Sequence, residues 1–327
     1  MNVAGPELAA AVTNAGGLGV MGGVGYTPKM LRKHIEELKA LLNDKKAPFG
    51  IDLLIPQVGG NARKTNHDYT DGHLPELVDI IIESGAKLFV CAVGVPPRWL
   101  VDKMHANGIL VQNMCGAPKH AIKALDAGAD IICAQGGEGG GHTGEIATMV
   151  LIPQVVDIVR GRISPMTGKQ VVVIAAGGIF DGRGLAAALS LGAVGVWVGT
   201  RFVASDEAKA GPRHVNALLK AESSDTIRTT IYTGRPMRVY KDDVNNEWET
   251  YRKVEMLQLQ GEGIIPFQHD IETGKIKNLA ERLPLLMGQA SGAVKEVLPA
   301  KKIVEKMITE AADTLQRTSG FYAHSKM

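Results

Sequence analysis

A chain of 327 residues with 45% hydrophobic and 21% charged side chains has the apolar material for a large core, which excludes an extended, charge-swollen polymer. Its 36 basic and 34 acidic residues leave a formal charge of +2 with no Lys/Arg block, which argues against a nucleic-acid partner. No apolar run reaches the roughly 18 residues of a membrane helix, and no basic flank precedes an apolar leader, so the expectation is no membrane partner and a cytoplasmic protein.

In chain order, short β-branched runs alternate with helical patterns. An apolar run at 17–22 is followed by a helical pattern at 28–42 and a second run at 48–55. The rhythm continues with helix 74–84 and strand 87–94, helix 98–106 and strand 109–115, and helix 119–127 and strand 130–135. It closes with helix 153–159 and strand 171–176, then helix 183–191 and strand 195–199. Gly16, Gly85, Gly108, Gly128 and Gly192 stand where helices end before the next strand, as C-cap glycines do. Seven strands spaced in this way predict a parallel sheet with helical crossovers, covered on both faces. Both a (β/α)₈ barrel and a doubly wound sheet satisfy that alternation.

Three loops favour the barrel. After strand 130–135 comes Gln135-Gly136-Gly137-Glu138-Gly139-Gly140-Gly141-His142-Thr143-Gly144, a glycine-dense run that lets a flat ligand approach backbone and carries one histidine. After strand 171–176 come Gly177 and Gly178, and after the last strand come Gly199 and Thr200. In a (β/α)₈ barrel the loops after the last two strands commonly build a phosphate site from backbone N–H groups.

Beyond Ser205 the alternation stops. Residues 206–285, with a helical stretch at 214–222 and the aromatics Tyr232, Tyr240, Trp248 and Tyr251, are expected to form a small substrate or lid domain on a barrel spanning 1–205. The aromatics are expected to serve packing. Residues 286–327 are expected to return to the barrel, with a final amphipathic helix at 299–315. Cys91, Cys115 and Cys133 lie in apolar strands without metal-site spacing and read as reduced core thiols. Asp157, Asp181 and Asp206 read as caps or polar-face residues, and His67, His73, His105 and His120 as surface histidines. No His/carboxylate spacing suggests a metal. The segment 65–70 is a candidate for the substrate entrance.

These residues resemble the nitronate monooxygenases, formerly 2-nitropropane dioxygenases. The likeness runs through Asn2-Val3-Ala4-Gly5-Pro6-Glu7-Leu8-Ala9, Phe49-Gly50-Ile51-Asp52-Leu53-Leu54, the loop 135–144, Ala175-Ala176-Gly177-Gly178-Ile179 and Gly199-Thr200-Arg201-Phe202. It continues more weakly through Thr233-Gly234-Arg235-Pro236 and Met287-Gly288-Gln289. Related flavin enoyl-reductases and NADH:quinone reductases carry similar glycine–histidine loops. The resemblance implies an FMN-dependent (β/α)₈ barrel that oxidises alkyl nitronates, such as propionate 3-nitronate, with dioxygen to a carbonyl compound and nitrite. It implies His142 as the active-site base. Gly177, Gly178, Gly199 and Thr200 would hold the FMN phosphate. Gln135 and Gly140 would line the flavin, Lys119 would stand at its N1/C2=O edge, and Met1, Asn2 and Asp52 would also contact it. Asp52 replaces the family's usual asparagine, an acceptor-only group where an amide is expected. Met287, Gly288 and Gln289 would approach the substrate.

A barrel of that family begins with a strand ending in Ala-Pro-Met, and Met1 aligns with its last residue, so the chain is expected to lack strand one and to derive from a longer natural N-terminus. Two other readings stay open. One is an FMN-dependent NAD(P)H reductase of quinones or enoyl thioesters on the same scaffold, with no separate GxGxxG domain for the nicotinamide. The other is a truncated, inactive flavin-binding paralogue. The expected partners are a small-molecule substrate and dioxygen, in a monomer or homodimer.

Overall fold

Seven parallel strands frame the computed structural model, which describes residues 3–324. Helix α1 (Pro6–Asn14) opens the chain, with proline at its first turn, and leads to β1 (Val20–Gly22). Helix α2 (Pro28–Leu41) starts where the Thr27 hydroxyl accepts the Met30 N–H, and buries Leu31, Ile35 and Leu38 beneath it. The units β2 (Gly50–Leu54) and α3 (Leu74–Ser84), β3 (Leu88–Val93) and α4 (Arg98–Ala106), and β4 (Leu110–Cys115) and α5 (Pro118–Asp126) follow. Then come β5 (Ile131–Gln135), the two-residue β6 (Gly141–His142), α6 (Thr148–Val159), β7 (Val172–Ala176), α7 (Gly182–Ser190), β8 (Gly195–Trp197) and the short α8 (Thr200–Val203).

The large sheet runs in the order β1-β2-β3-β4-β5-β7-β8. Each strand is added on the same side as the last, with no reversal, so the sheet curls as a (β/α)₈ barrel does and is not doubly wound. Between the sheet and its helices the packing is tight: Ile51, Phe89, Cys91 and Val111 have no accessible surface and join Leu31, Leu38, Leu77 and Leu100 in one core. All seven strands lie within the runs expected from sequence, and the five C-cap glycines have left-handed φ. Among the described residues no strand lies between β8 and β1.

Helix α6 begins five residues before the expected 153. The Glu138 carboxylate accepts from the Thr148 N–H and hydroxyl and so caps it at 148. Pro153 is tolerated inside this helix because Met149, whose carbonyl loses its partner, is exposed to water.

After α9 (Pro212–Lys220) come β9 (Thr226–Thr229) and β10 (Met237–Tyr240), which join β6 in a small antiparallel sheet ordered β6-β10-β9. Helices α10 (Asp243–Thr250), α11 (Lys253–Glu262), α12 (Pro266–Glu272) and α13 (Leu279–Arg282) pack beside it. Trp248 is their anchor: fully buried, it donates Nε1–H to Asp270 at 2.8 Å beneath the Arg252 guanidinium, 3.3 Å from the ring centroid. Tyr251, by contrast, is exposed. The long α14 (Ala300–His324) packs on α7 and α1, the helices beside the two sheet edges. It comes close because residue 182 is glycine: a Cβ there would stand 2.5 Å from the Met307 carbonyl oxygen.

One expectation about histidines is corrected. His105 is not a surface residue: its Nε2 meets the buried Asp130 carboxylate at 2.8 Å, and that carboxylate also accepts from the Val111 N–H and the Ser164 hydroxyl. The three cysteines are buried and unpaired, as core thiols should be.

Candidate active site

A cavity of about 720 Å³ opens at the C-terminal ends of the barrel strands, where barrels of this architecture hold their chemistry, and continues along the flank between β8 and β1 past Leu8, Val12, Leu18, Val194 and Val196. Asp52 and Leu54 from β2, Ala92 from β3, Met114 from β4, Gln135 from β5 and Ala176 from β7 face it. Gly177, Gly178, Gly199 and Thr200 form one end, and Gly139, Gly140, Gly141 and His142 another stretch of wall. Asp52 and His142 are the only titratable residues of that wall among the described residues.

The glycine loop is held at many points. Glu138 fixes it to the start of α6, its carbonyl accepts the Gln289 N–H at 2.9 Å, and Arg238 Nε donates to the Gly137 carbonyl at 2.8 Å. Glycine is needed at 140 because a Cβ would stand 2.7 Å from the Gly288 nitrogen, and at 177 because φ is +93° with the Gly136 carbonyl oxygen 2.8 Å from where a Cβ would be. These close approaches leave backbone, not side chain, facing the chamber.

His142 is set by two elements. In the small sheet it pairs with Met237 of β10, and its Nε2 lies 2.9 Å from the Thr233 hydroxyl. Burial, with the nearby Arg235 charge as a second cause, pushes its pKa down to about 4, so the ring is neutral at neutral pH. Arg235 itself is half-buried; its Nε donates to the Asn66 side-chain oxygen at 3.0 Å, and no carboxylate pairs with it among the described residues. Burial first, then Arg63, pushes the Arg235 pKa down, and Arg235 also contributes to lowering His120. Arg63 and Arg235 therefore place positive charge beside His142, outside the chamber's lining.

Asp52 lies in the middle of β2, in register with Gly22 and Val90. Its Oδ1 is enclosed and has no hydrogen-bond partner, and burial pushes the carboxyl up to about 7.

Of the residues singled out from sequence, Asp52, Gln135, Gly140, His142, Gly177, Gly178, Gly199 and Thr200 share this one chamber. Lys119 does not: it is exposed in the first turn of α5, outside the wall, because the chain between β4 and that helix turns it towards solvent. Met287, Gly288 and Gln289 lie behind the glycine loop, where Gly288 N–H donates to the Thr200 hydroxyl at 2.9 Å; Met287 is buried and the chamber is lined instead by Leu286 and Ala290. Met1 and Asn2 lie outside the described residues. Sequence reasoning missed Thr233 as the partner of His142; its signal was the Thr233–Pro236 segment, quoted for resemblance but given no role. The 65–70 segment packs on the segment that carries Thr233, with Thr65 against Gly234 and the Asn66 side-chain oxygen accepting from Arg235, and does not line the chamber.

A curled parallel barrel with one histidine and one buried carboxyl in a glycine-walled chamber defines an enzyme of the (β/α)₈ class. The family model for nitronate monooxygenase matches residues 1–310, and the chain belongs to that family of oxidoreductases. It is 31% identical over 352 residues to the (3aS,4S,5R,7aS)-5-hydroxy-7a-methyl-1-oxo-octahydro-1H-indene-4-carboxyl-CoA dehydrogenase of Mycobacterium tuberculosis, across 97% of this chain and 92% of that protein. Among solved structures it is similar to FabK from Thermotoga maritima, with TM-score 0.75 and 31% identity over 98% of this chain and 92% of that one. It is likewise similar to the nitroalkane oxidase from Streptomyces ansochromogenes, with TM-score 0.76 and 28% identity over 97% of this chain and 94% of the other. No helix among the described residues is long and apolar enough to cross a membrane.

Proposed function

We propose that this protein is an FMN-dependent nitronate monooxygenase, which oxidises alkyl nitronates such as propionate 3-nitronate with dioxygen to a carbonyl compound and nitrite. The observation that carries this reading is a neutral His142, oriented by Thr233, in the wall of a chamber of about 720 Å³. The chamber fits the cofactor chemically: a Cβ at Gly199 would stand in open space, so the wall there is bare backbone, and the enclosed Asp52 oxygen has no partner among the described residues. Gly177, Gly178, Gly199 and Thr200 would hold the phosphate, with Gln135, Gly140 and Asp52 along the flavin ring. When bound, FMN supplies the electron acceptor and the route to dioxygen.

The chain's own residues then bind and orient the nitronate and manage protons. The Thr233 hydroxyl has one proton; directed to the Arg235 carbonyl at 3.4 Å, it leaves Oγ1 to accept from Nε2–H of His142. Nδ1 then keeps its lone pair, the tautomer that a base needs. A ring with a pKa near 4 stays neutral and gives the anionic nitronate a hydrogen-bonding partner without a salt bridge, while acting as a weaker base than free histidine towards neutral nitroalkanes. Arg235, with no carboxylate of its own, suits a substrate with a second anionic group.

The test is nitrite release with oxygen uptake, compared for propionate 3-nitronate and ethyl nitronate. We expect His142→Ala to lower kcat about 10²-fold for both. Arg235→Gln should raise KM for propionate 3-nitronate about tenfold and leave ethyl nitronate unchanged. Absence of nitrite from the wild-type protein with either substrate contradicts the reading.

A second reading has one observation in its favour: the 31% identity with the CoA-thioester dehydrogenase extends over 97% of this chain. A flavin-dependent dehydrogenase or NAD(P)H reductase of acyl thioesters would use the same chamber, its nicotinamide stacking on the flavin. Reduction by NADH separates the two.

A further inference from the structure

Asp52 is the only residue of the chamber wall with an enclosed polar atom lacking a partner among the described residues. Its β1 neighbours Gly22 and Gly23 offer no side chain to cover it, and Val90 across β3 is apolar. The titratable groups acting on its surroundings are the thiols of Cys91 from β3 and Cys133 from β5, both driven upward by burial and therefore neutral. Across the chamber stands His142, also neutral. Among the described residues no lysine or arginine compensates a charge at Asp52, and burial is the cause of its upward shift. A carboxylate here would be a buried, unpaired anion, whereas a carboxylic acid has an O–H to give.

We propose that Asp52 meets the flavin as a neutral acid, donating a hydrogen bond to an acceptor on the isoalloxazine ring, so that ionisation of Asp52 releases the flavin. The proposal rests on the flavin reading above. The flavin carbonyl oxygens and the unprotonated ring nitrogens are acceptors, whereas N3–H donates; facing an acceptor, the neutral acid is complementary and the carboxylate is repelled. The side chain thus couples cofactor retention to pH, which an asparagine, donating through its amide at every pH, cannot do.

The experiment uses the flavin-loaded full chain, diluted and equilibrated between pH 5.5 and 8.5, with released FMN read by its fluorescence, in wild type and Asp52→Asn. The FMN phosphate contributes the same pH dependence to both proteins. Above pH 7 the wild-type Kd is expected to rise about tenfold per pH unit relative to the variant, which retains flavin throughout. Parallel profiles for the two proteins overturn the proposal while leaving the flavin reading intact; a wild type that retains no FMN at any pH overturns both. If Asp52→Asn fails to fold, difference infrared spectra of the wild type decide: a protonated carboxyl C=O band in the flavin-bound protein at pH 6, lost as flavin leaves at pH 8.5, is expected. Its absence at pH 6 overturns the proposal.

Discussion

His142 and Asp52 are both held neutral by burial, one by losing its proton easily and the other by keeping it. The consequence for stability differs in sign. An acid whose pKa is raised by folding binds protons preferentially in the native state, so Asp52 costs nothing below its unfolded value of 3.8. Its cost grows as pH rises and is complete above about 7. At about 1.4 kcal/mol per unit this is a few kcal/mol. Asp52→Asn, melted without flavin, is therefore expected to gain several degrees over wild type at pH 8 and almost nothing at pH 4. An equal gain at both pH values would show that charge is not the cause. His142 runs the other way: its lowered pKa is a penalty present below about 4 and absent above 6.5, so it does not affect stability at neutral pH.

The pairing of β6 with β10 turns a glycine-rich stretch into a fixed site. Two residues of strand suffice because Thr143 N–H donates to the Pro236 carbonyl beyond the ladder and the Thr233 hydroxyl holds the ring. Thr233→Val keeps the shape and removes that hydroxyl. It is expected to lower kcat about tenfold with KM little changed and His142 less readily protonated, because the acceptor of Nε2–H that favours the imidazolium is lost, visible as an acid limb of the pH–rate profile displaced downward. An unchanged profile would remove Thr233 from the site. The long parallel strands were legible in sequence because apolar runs and C-cap glycines are local signals. The small sheet was not: β6 has two residues, and its partner lies about ninety positions later, so no local pattern marks it. For the same reason His142 was found by its loop, and Thr233, known only through that pairing, was not. Lys119 was misplaced because a helix start next to a site looks, in sequence, like a helix start facing it.

Taken whole, the molecule is a curled seven-stranded sheet whose strand ends converge on one chamber, with α9 to α13 and the small sheet above it and α14 across the flank. The arrangement explains why residues as distant in sequence as Asp52, His142, Gly177 and Thr200 share a wall: Asp52 faces the chamber from β2, and the others lie in the stretches that follow β5, β7 and β8. It also explains why the family's different chemistries can share one frame, since the chamber is made of backbone and apolar side chains with few groups that commit it to a reaction. The deciding property is which molecule gives electrons to the cofactor. Anaerobic mixing of the purified protein with propionate 3-nitronate and, separately, with NADH, followed by flavin absorbance, measures it. Loss of the oxidised-flavin absorbance with the nitronate alone is the predicted result; rapid bleaching by NADH with no response to the nitronate would contradict the monooxygenase account.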